Sequence, residues 1–126
     1  MMRILIVDDE VDICDFVKNF FRERNFDVEV AYSGKEAVKH VKARKPHIIL
    51  LDIKMPEMDG LETLKAIRKI DDKIKVIMVT AVEDMEMAEE TKNHGASEYI
   101  TKPLLLEQLE RTVFTIAEQI KMDTEI

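Results

Sequence analysis

The sequence predicts an α/β fold, a doubly wound parallel sheet of five strands with five flanking helices. Three observations support this prediction. Short apolar runs of strand length alternate five times with segments whose apolar residues recur at helical spacing. Two of the apolar runs have no polar side, which is typical of strands covered by helices on both faces. No linker and no short-period repeat interrupts the alternation, so one domain over residues 1–126 is expected.

The first unit begins with a β-rich run from Arg3 to Val7, which ends at an acidic pair, and continues as a helix from Val11 onward. Helical spacing predicts an inward face on this helix, made of Ile13, Phe16, Val17 and Phe20. The same spacing places the remaining residues nearer solvent, namely Asp12, Cys14, Asp15 and Lys18. We interpret Cys14 as a small residue that packs beside apolar neighbours rather than as a redox centre.

The second unit begins with residues 26–30, where apolar and acidic residues alternate, and this alternation predicts a half-exposed strand. Ser33 followed three residues later by Glu36 is the sequence signature of a capping box, so the second helix is expected to begin there. Its inward residues are expected to be Ala37, Val38 and Val41. Pro46 closes the helical region.

The third and fourth units contain the two fully apolar strands. Residues 48–51 are all apolar and end at Asp52, after which a turn-rich loop (residues 54–60) leads into a helix. That helix is marked by Leu61, Leu64 and Ile67. Residues 76–79 form the fourth strand, which ends in Thr80. A weakly apolar helix is expected from Glu83 to His94, with Gly95 as its stop.

The fifth unit is a short strand over residues 98–101, followed by Lys102-Pro103 and a final helix. The apolar face of this helix is expected to contain Leu106, Leu109, Val113, Ile116, Ala117 and Ile120. The chain ends soon afterwards, so we expect no output domain within it.

Composition excludes several classes of protein. The formal net charge of -7 and the sequence pI of about 5.0 argue against a binder of nucleic acid, because phosphate contacts need Lys and Arg. A single cysteine permits no internal disulfide and no cysteine-based metal site. The N-terminal apolar run is too short for a signal sequence, and no stretch approaches membrane-spanning length. We expect a monomeric, cytoplasmic protein.

The carboxyl ends of the strands carry the polar residues of interest, and open α/β sheets place their sites at this edge. These residues are Asp8 and Asp9 after the first strand, Asp52 after the third, Thr80 after the fourth and Lys102 after the fifth. Three converging carboxylates repel one another unless protons or a cation neutralise them. Oxygen ligands with no His or Cys nearby predict Mg²⁺, for which Mn²⁺ could substitute.

These residue types together predict phosphoryl transfer. Asp52, at the centre of the edge, is a carboxylate nucleophile. Lys102 is a compact cation that can meet a phosphate oxygen, and Thr80 offers a hydroxyl donor. Phosphoryl transfer depends mainly on positioning and charge neutralisation, and the three residues with a cation supply both.

A set of short motifs follows the strand ends, comprising Asp8-Asp9, residues 52–60, Thr80-Ala81, Gly95-Ala96, and Tyr99 followed by Lys102-Pro103. Together, and in this order, they resemble the receiver domain of two-component response regulators over essentially the whole chain. The resemblance is to a stand-alone receiver of the chemotaxis or phosphorelay type. It implies a flavodoxin-like strand order, 2-1-3-4-5.

The resemblance also implies roles for individual residues. Asp52 would accept a phosphoryl group from a phosphohistidine on a sensor histidine kinase or a histidine phosphotransfer protein. Asp9, Asp52 and the backbone carbonyl of Lys54 would bind Mg²⁺ directly, and Asp8 would act through water. The chain would catalyse its own phosphorylation and dephosphorylation without being a conventional turnover enzyme.

Further implications concern the switch between the two states. Lys102 would contact the phosphoryl group, and the Lys102–Pro103 peptide bond would be cis. Thr80 and Tyr99 would form a switch pair that moves inward when Asp52 is modified. For Tyr99 a half-buried packing role is the alternative.

Other functions fit the sequence less well. A receiver-shaped interaction module that acts without phosphorylation has no need of Asp52 and Lys102, and both are present. Phosphatases with an aspartate nucleophile have two aspartates separated by one residue after the first strand. In this chain Asp8 and Asp9 are adjacent, so the pattern does not fit. A flavodoxin-type cofactor domain would have a hydroxyl-rich phosphate loop after the first strand, where this chain has acidic residues.

The surface that docks the phosphodonor is expected to combine the first helix with the loop after Pro103. Leu104 has little core left to fill once the final helix takes Leu106, so we expect it at the rim beside Lys102. A local packing role for Leu104 on the final helix is the alternative.

Overall fold

The structure is a computed structural model that describes residues 1–124. Its strands are β1 (Arg3–Val7), β2 (Asp27–Ala31), β3 (Ile48–Asp52), β4 (Lys75–Thr80) and β5 (Glu98–Thr101). Its helices are α1 (Val11–Arg22), α2 (Gly34–Ala43), α3 (Gly60–Ile70), α4 (Met85–Asn93) and α5 (Leu106–Thr124), with a 3₁₀ turn at Val82–Asp84 before α4. The predicted alternation of strands and helices is confirmed.

All strands of the sheet are parallel, in the order β2-β1-β3-β4-β5. The register pairs Val7 with Ala31 on one side and with Leu51 on the other, so β1, β2 and β3 end at the same edge. The order of the strands changes direction between β1 and β3, and at such a switch point the carboxyl edge of the sheet opens into a crevice. The sheet therefore places the residues that follow β1 and β3 side by side.

Two apolar cores lie on the two faces of the sheet, as alternation along a strand requires. In β1, Ile4 and Ile6 join the core beneath α1 and α5, while Leu5 and Val7 join the core beneath α2, α3 and α4. Every residue of β3 is buried, which confirms the prediction of a strand covered on both faces. Among residues 1–124, none of the helices has both the length and the apolar character needed to cross a membrane.

The helix beginnings partly match the capping signals. Ser33 Oγ accepts a hydrogen bond from the Glu36 backbone N–H at 3.1 Å, but the Glu36 carboxylate contacts the Ser33 hydroxyl instead of the Ser33 backbone. The full reciprocal box lies at Asp59 and Glu62, and it starts α3 at Gly60, one residue earlier than the apolar pattern indicates.

The inward face of α1 differs from the prediction. Cys14, Val17 and Phe21 are buried, whereas Phe16 has 58% of its surface exposed. The segment carries two overlapping apolar stripes, and packing selects the one through Phe21, whose ring meets Phe26 edge-on at a centroid distance of 5.5 Å. The placement of Phe16 inward and of Cys14 toward solvent was therefore wrong. The interpretation of Cys14 as a small packing residue is confirmed.

Candidate functional site at the carboxyl edge of the sheet

Asp52 is the last residue of β3, and only 3% of its surface is exposed. The chain after it is held tightly, because Ile53 N–H donates to the Val79 carbonyl at 3.0 Å and Gly60 N–H donates to the Ile53 carbonyl at 2.7 Å. Burial raises the pKa of the Asp52 carboxyl above its usual range, and the charge of Lys102 opposes this rise. The side chain is thus a buried carboxyl on a rigid support.

Gly60 makes that support possible. A Cβ at this position would lie 2.6 Å from the Asp52 carbonyl oxygen and 2.6 Å from Ile53 Cα, both of them backbone atoms. Only a residue without a side chain lets the start of α3 approach the end of β3 so closely. The sequence motif contains Gly60, but the close approach to Asp52 is visible only in the structure.

Three carboxylates meet at the site. Asp8, Asp9 and Asp52 each offer an oxygen, and these oxygens lie within 4.8 Å of one another. Asp8 is buried with 4% exposure, whereas Asp9 is exposed at the mouth. Burial raises the pKa of Asp8 to about 6, and the charge of Asp52 adds to the rise. The prediction that these residues converge is confirmed.

The donor set fits a hard divalent cation. It consists only of carboxylate oxygens, which Mg²⁺ prefers, and an open mouth at Asp9 leaves room for the water ligands that Mg²⁺ retains. Burial and, to a lesser extent, the charge of Asp52 raise the pKa of Asp8, and a cation would offset both effects. Lys54, the expected carbonyl ligand, follows Asp52 closely in the chain, and its backbone hydrogen bond to the Asp52 carboxylate lowers the pKa of that group.

Lys102 is the positive group of the site. Its Nζ lies 3.3 Å from Asp52 Oδ1 and 3.4 Å from Oδ2. Burial alone lowers the pKa of the ammonium, but the charge and hydrogen bond of Asp52 and the charge of Asp8 outweigh it, so the net pKa is raised. Lys102 N–H donates to the Thr80 carbonyl at 2.7 Å, and the Lys102–Pro103 bond is cis, as the resemblance implies.

Thr80 and Tyr99 occupy different environments on neighbouring strands. Thr80 is fully buried, and its hydroxyl donates to the Ala81 carbonyl at 3.0 Å. The Tyr99 hydroxyl points to the surface of α4 and donates to the Glu89 carboxylate at 3.1 Å. Lys92 Nζ lies 4.5 Å from the centroid of the Tyr99 ring. The two switch candidates are therefore present, with Thr80 inside and Tyr99 half-buried.

The loop after Pro103 differs from the expected arrangement. Leu104 is partly buried, packs against the core beneath α1 and α5, and lines a small cavity of about 10 Å³ that reaches Asp8 and Asp52. Leu105 instead has 60% of its surface exposed. The expectation that Leu104 has little core left to fill was wrong, because it packs against the core beneath α1 and α5, while the cavity it lines places it beside the site.

One contact at the site was missed by sequence reasoning. The Cys14 thiol donates to the Asp8 carbonyl at 3.3 Å, which joins α1 to the acidic pair. The only signal in the sequence was the position of a cysteine six residues after Asp8, and that spacing alone does not distinguish a donor from a packing residue.

A family model described as the response regulator receiver domain matches residues 4–114. The chain is 41% identical over 116 residues to the chemotaxis protein CheY of Listeria monocytogenes, covering 88% of this chain and 98% of that protein. It is 35% identical over 111 residues to sporulation initiation phosphotransferase F of Bacillus subtilis, covering 88% and 90% respectively. It spans only 25% of the length of other curated relatives, which are transcriptional regulatory proteins.

Solved structures give the same result. The structure of the chemotaxis protein CheY4 of Vibrio cholerae superposes with a TM-score of 0.86 at 30% identity. The match covers 92% of this chain and 98% of that chain. The flavodoxin-like topology inferred from the motifs is therefore shared with solved relatives.

Proposed function

The chain belongs to the response regulator receiver domain family, and on that premise we propose that Asp52 accepts a phosphoryl group from a phosphohistidine donor in a Mg²⁺-dependent reaction. The observation that carries the proposal is the placement of Asp52. Its buried carboxylate lies beside two further carboxylates and has an ammonium close to both of its oxygens. An aspartate with a purely structural role needs only one partner. This arrangement is suited instead to bind an anionic phosphoryl group against the carboxylate.

In the proposed step, a carboxylate oxygen of Asp52 attacks the phosphorus of the phosphohistidine. The new P–O bond forms as the P–N bond breaks, and the imidazole nitrogen of the donor leaves with the electron pair and takes up a proton from solvent. Lys102 begins beside both Asp52 oxygens and stabilises the negative charge that the phosphoryl oxygens bring. The rigid support under Asp52 keeps the nucleophile in line without reorganisation.

Asp9, Asp52 and the backbone carbonyl of Lys54 would hold the cation directly, with Asp8 acting through water. When bound, Mg²⁺ would neutralise the clustered carboxylates and provide charge for the phosphoryl oxygens. Asp8 contributes by position, because its Oδ1 is fixed by the Glu10 backbone N–H at 2.9 Å. The same residues would serve hydrolysis of the acyl phosphate, so the chain catalyses its own dephosphorylation without being a conventional turnover enzyme.

The proposed signal passes through Thr80 and Tyr99. After phosphorylation, the Thr80 hydroxyl would leave the Ala81 carbonyl and donate to the phosphoryl group, which opens space beside β5. Tyr99 would then exchange its contact with Glu89 for that space and change the surface around α4. The changed surface would bind a downstream protein, or the phosphoryl group would be relayed onward to another protein.

We further propose that the chain acts as a cytoplasmic monomer formed by one receiver domain over residues 1–126, with a sensor histidine kinase or a histidine phosphotransfer protein as its donor. Its net charge of -7 does not favour nucleic acid as a partner. The alternative is a receiver-shaped interaction module that acts without phosphorylation.

The test of the proposed function is labelling by radioactive acetyl phosphate with Mg²⁺ or with EDTA. Acid-labile, base-labile label that appears with Mg²⁺ and is absent with EDTA is the expected result, because an acyl phosphate hydrolyses at both extremes of pH. A protein that remains unlabelled by acetyl phosphate and by a panel of phosphohistidine donors would instead support the interaction module.

A further inference from the structure

Cys14 is the single cysteine of the chain, and its side chain is fully buried in the first turns of α1. It lies in the apolar core beneath α1 and α5 together with Val17 and Phe21. Its Sγ–H is directed at the Asp8 carbonyl oxygen, 3.3 Å away. The thiol lies among apolar side chains and acts as an S–H donor to this carbonyl.

The carbonyl that accepts this bond belongs to the peptide group between Asp8 and Asp9. Orientation of that peptide group decides where the two carboxylates leave the backbone. Within residues 1–124, Cys14 is the only donor that the structure shows for this carbonyl, while Asp8 N–H is fixed separately by the Ala31 carbonyl at 3.1 Å. The backbone of Asp8 is therefore held at its N–H by β2 and at its carbonyl by the Cys14 thiol.

Asp9 depends on this support more than Asp8 does. Its side chain is exposed, and in the described part of the chain no hydrogen bond or ion pair fixes it. The carboxylate of Asp8, in contrast, has the Glu10 backbone N–H as a partner. The direction of the Asp9 side chain therefore depends on its backbone, and the bond from Cys14 holds the carbonyl of the peptide group that precedes Asp9.

We propose that Cys14 is a positioning residue for the cation pocket, whose thiol fixes the Asp8–Asp9 peptide group so that both carboxylates face Asp52. The thiol does not bind the cation. It contacts the backbone of the acidic pair from outside the expected ligand set. Loss of such a contact commonly changes metal affinity by a factor of ten or more. The inference rests on the proposed function only in naming Mg²⁺ as the cation.

The test measures Mg²⁺ binding directly, without a phosphodonor. The full chain is titrated with Mg²⁺, and the dissociation constant is taken from the NMR shifts of the backbone amides of Asp9 and Asp52. Cys14→Ala removes the donor and should raise the dissociation constant by ~10-fold. Cys14→Ser keeps a donor on a shorter side chain, so its dissociation constant should lie between those of the wild type and Cys14→Ala.

Val113→Ala is the matched control, because Val113 is fully buried in the same core but lies on α5 outside the pocket. Urea unfolding measures the stability lost in each variant. Val113→Ala should lose stability and keep the wild-type dissociation constant. An equal rise of the dissociation constant in Val113→Ala and Cys14→Ala would overturn the proposal, because general loosening of the core would then explain both.

A second readout is the S–H stretching band, which is simple to assign in a protein with one cysteine. The band should lie at the frequency of a hydrogen-bonded thiol and should shift when Mg²⁺ binds. An unchanged dissociation constant in Cys14→Ala, or the band of a free thiol, would overturn the inference while leaving the proposed function intact. A wild-type protein that binds no Mg²⁺ would overturn the metal-dependent function, and with it the role proposed for Cys14.

Discussion

Lys102 Nζ is almost equidistant from the two carboxylate oxygens of Asp52, at 3.3 Å from Oδ1 and 3.4 Å from Oδ2. The two side chains come from the ends of β5 and β3, with β4 between them. Because Asp52 is buried, this ammonium is the main group that opposes the rise in its pKa. The pKa of Asp52 therefore depends on the loop after β5, which lies on the other side of β4 and contains Lys102.

Lys102→Met should slow labelling by acetyl phosphate by roughly 10-fold or more, equivalent to at least about 1.4 kcal/mol of barrier, because the ammonium beside Asp52 then no longer meets the phosphoryl oxygens. The pKa of Asp52, followed by carboxyl NMR in EDTA, should also rise further. Lys42→Met, at an exposed position on α2, is the control and should behave like the wild type. Labelling of Lys102→Met at the wild-type rate would remove Lys102 from the proposed step.

The titration of Asp8 should make the free energy of unfolding of the metal-free protein fall as pH rises. The pKa of Asp8 is about 6 in the folded chain and 3.8 for an ordinary aspartate, so between these values the folded state holds a proton that the unfolded state has lost. Asp8→Asn lacks this titration. Its stability advantage over the wild type should grow from pH 4 to pH 6 and then level off at roughly 1–2 kcal/mol, after solvent screening is allowed for.

Urea unfolding in EDTA at several pH values measures this difference. His47 has the opposite sign, because its pKa is lowered in the folded chain and its titration favours folding as pH rises. Both proteins contain His47, so its contribution cancels in the comparison. A constant difference between the two proteins across this pH range would show that folding does not shift the pKa of Asp8.

The fold and the edge residues were predictable because topology alone brings the ends of parallel strands together. The sequence could place Asp8, Asp52 and Lys102 on one edge without knowing any distance. It could not choose between two apolar stripes on α1, because Phe16 and Phe21 both recur at helical spacing, and only the contact with Phe26 decides between them.

Other features depended on the third dimension. Gly60 is one residue of a turn in the sequence, but in the fold it is where the start of α3 touches the backbone of Asp52. From the sequence Leu104 has little core left to fill, whereas in the fold it packs against the core beneath α1 and α5. Contacts within one helix or strand can be predicted from residue spacing, whereas contacts between elements depend on how the elements are oriented.

Thr80→Val should separate binding at the site from the change at α4. The substitution keeps the shape of the buried side chain and removes the hydroxyl that now donates to Ala81. Helix α4 buries only Ala88 and Thr91, so little packing opposes its movement. We expect beryllofluoride with Mg²⁺ to alter hydrogen exchange in α4 of the wild type and to leave α4 of Thr80→Val unchanged at saturation.

Thr63→Val is the matched control, since Thr63 is also fully buried but donates to the Asp59 carbonyl in α3. It should show the wild-type response of α4. Equal exchange with and without beryllofluoride in the wild type would count against the switch altogether. An unaltered response in Thr80→Val would show that the switch operates without this hydroxyl.

Exposed apolar residues on α1 and after Pro103 should serve donor docking. Phe16 on α1 has 58% of its surface exposed and Leu105, after Pro103, has 60%. Replacing either by alanine should slow transfer from a cognate phosphohistidine protein by roughly 10-fold, because the few residues that anchor an interface each cost more than about 1 kcal/mol when truncated. Labelling by acetyl phosphate should stay at the wild-type rate, since neither residue belongs to the proposed site.

Met122→Ala provides the control, because Met122 is 66% exposed but lies at the opposite end of α5 from the site. It should transfer normally from both donors. If Phe16→Ala and Leu105→Ala lose both reactions equally, the residues support the site or the fold and have no specific part in docking.

Chemical trapping identifies the residue that carries the phosphoryl group, which we propose is Asp52. The protein is phosphorylated with acetyl phosphate and Mg²⁺, reduced with borohydride, and digested for mass spectrometry, so that a phosphorylated aspartate is recovered as homoserine. The account predicts homoserine at position 52 in the wild type and at no position in Asp52→Asn. Homoserine at Asp8, Asp9 or Asp59 in the wild type, or label that persists undiminished in Asp52→Asn, would contradict it.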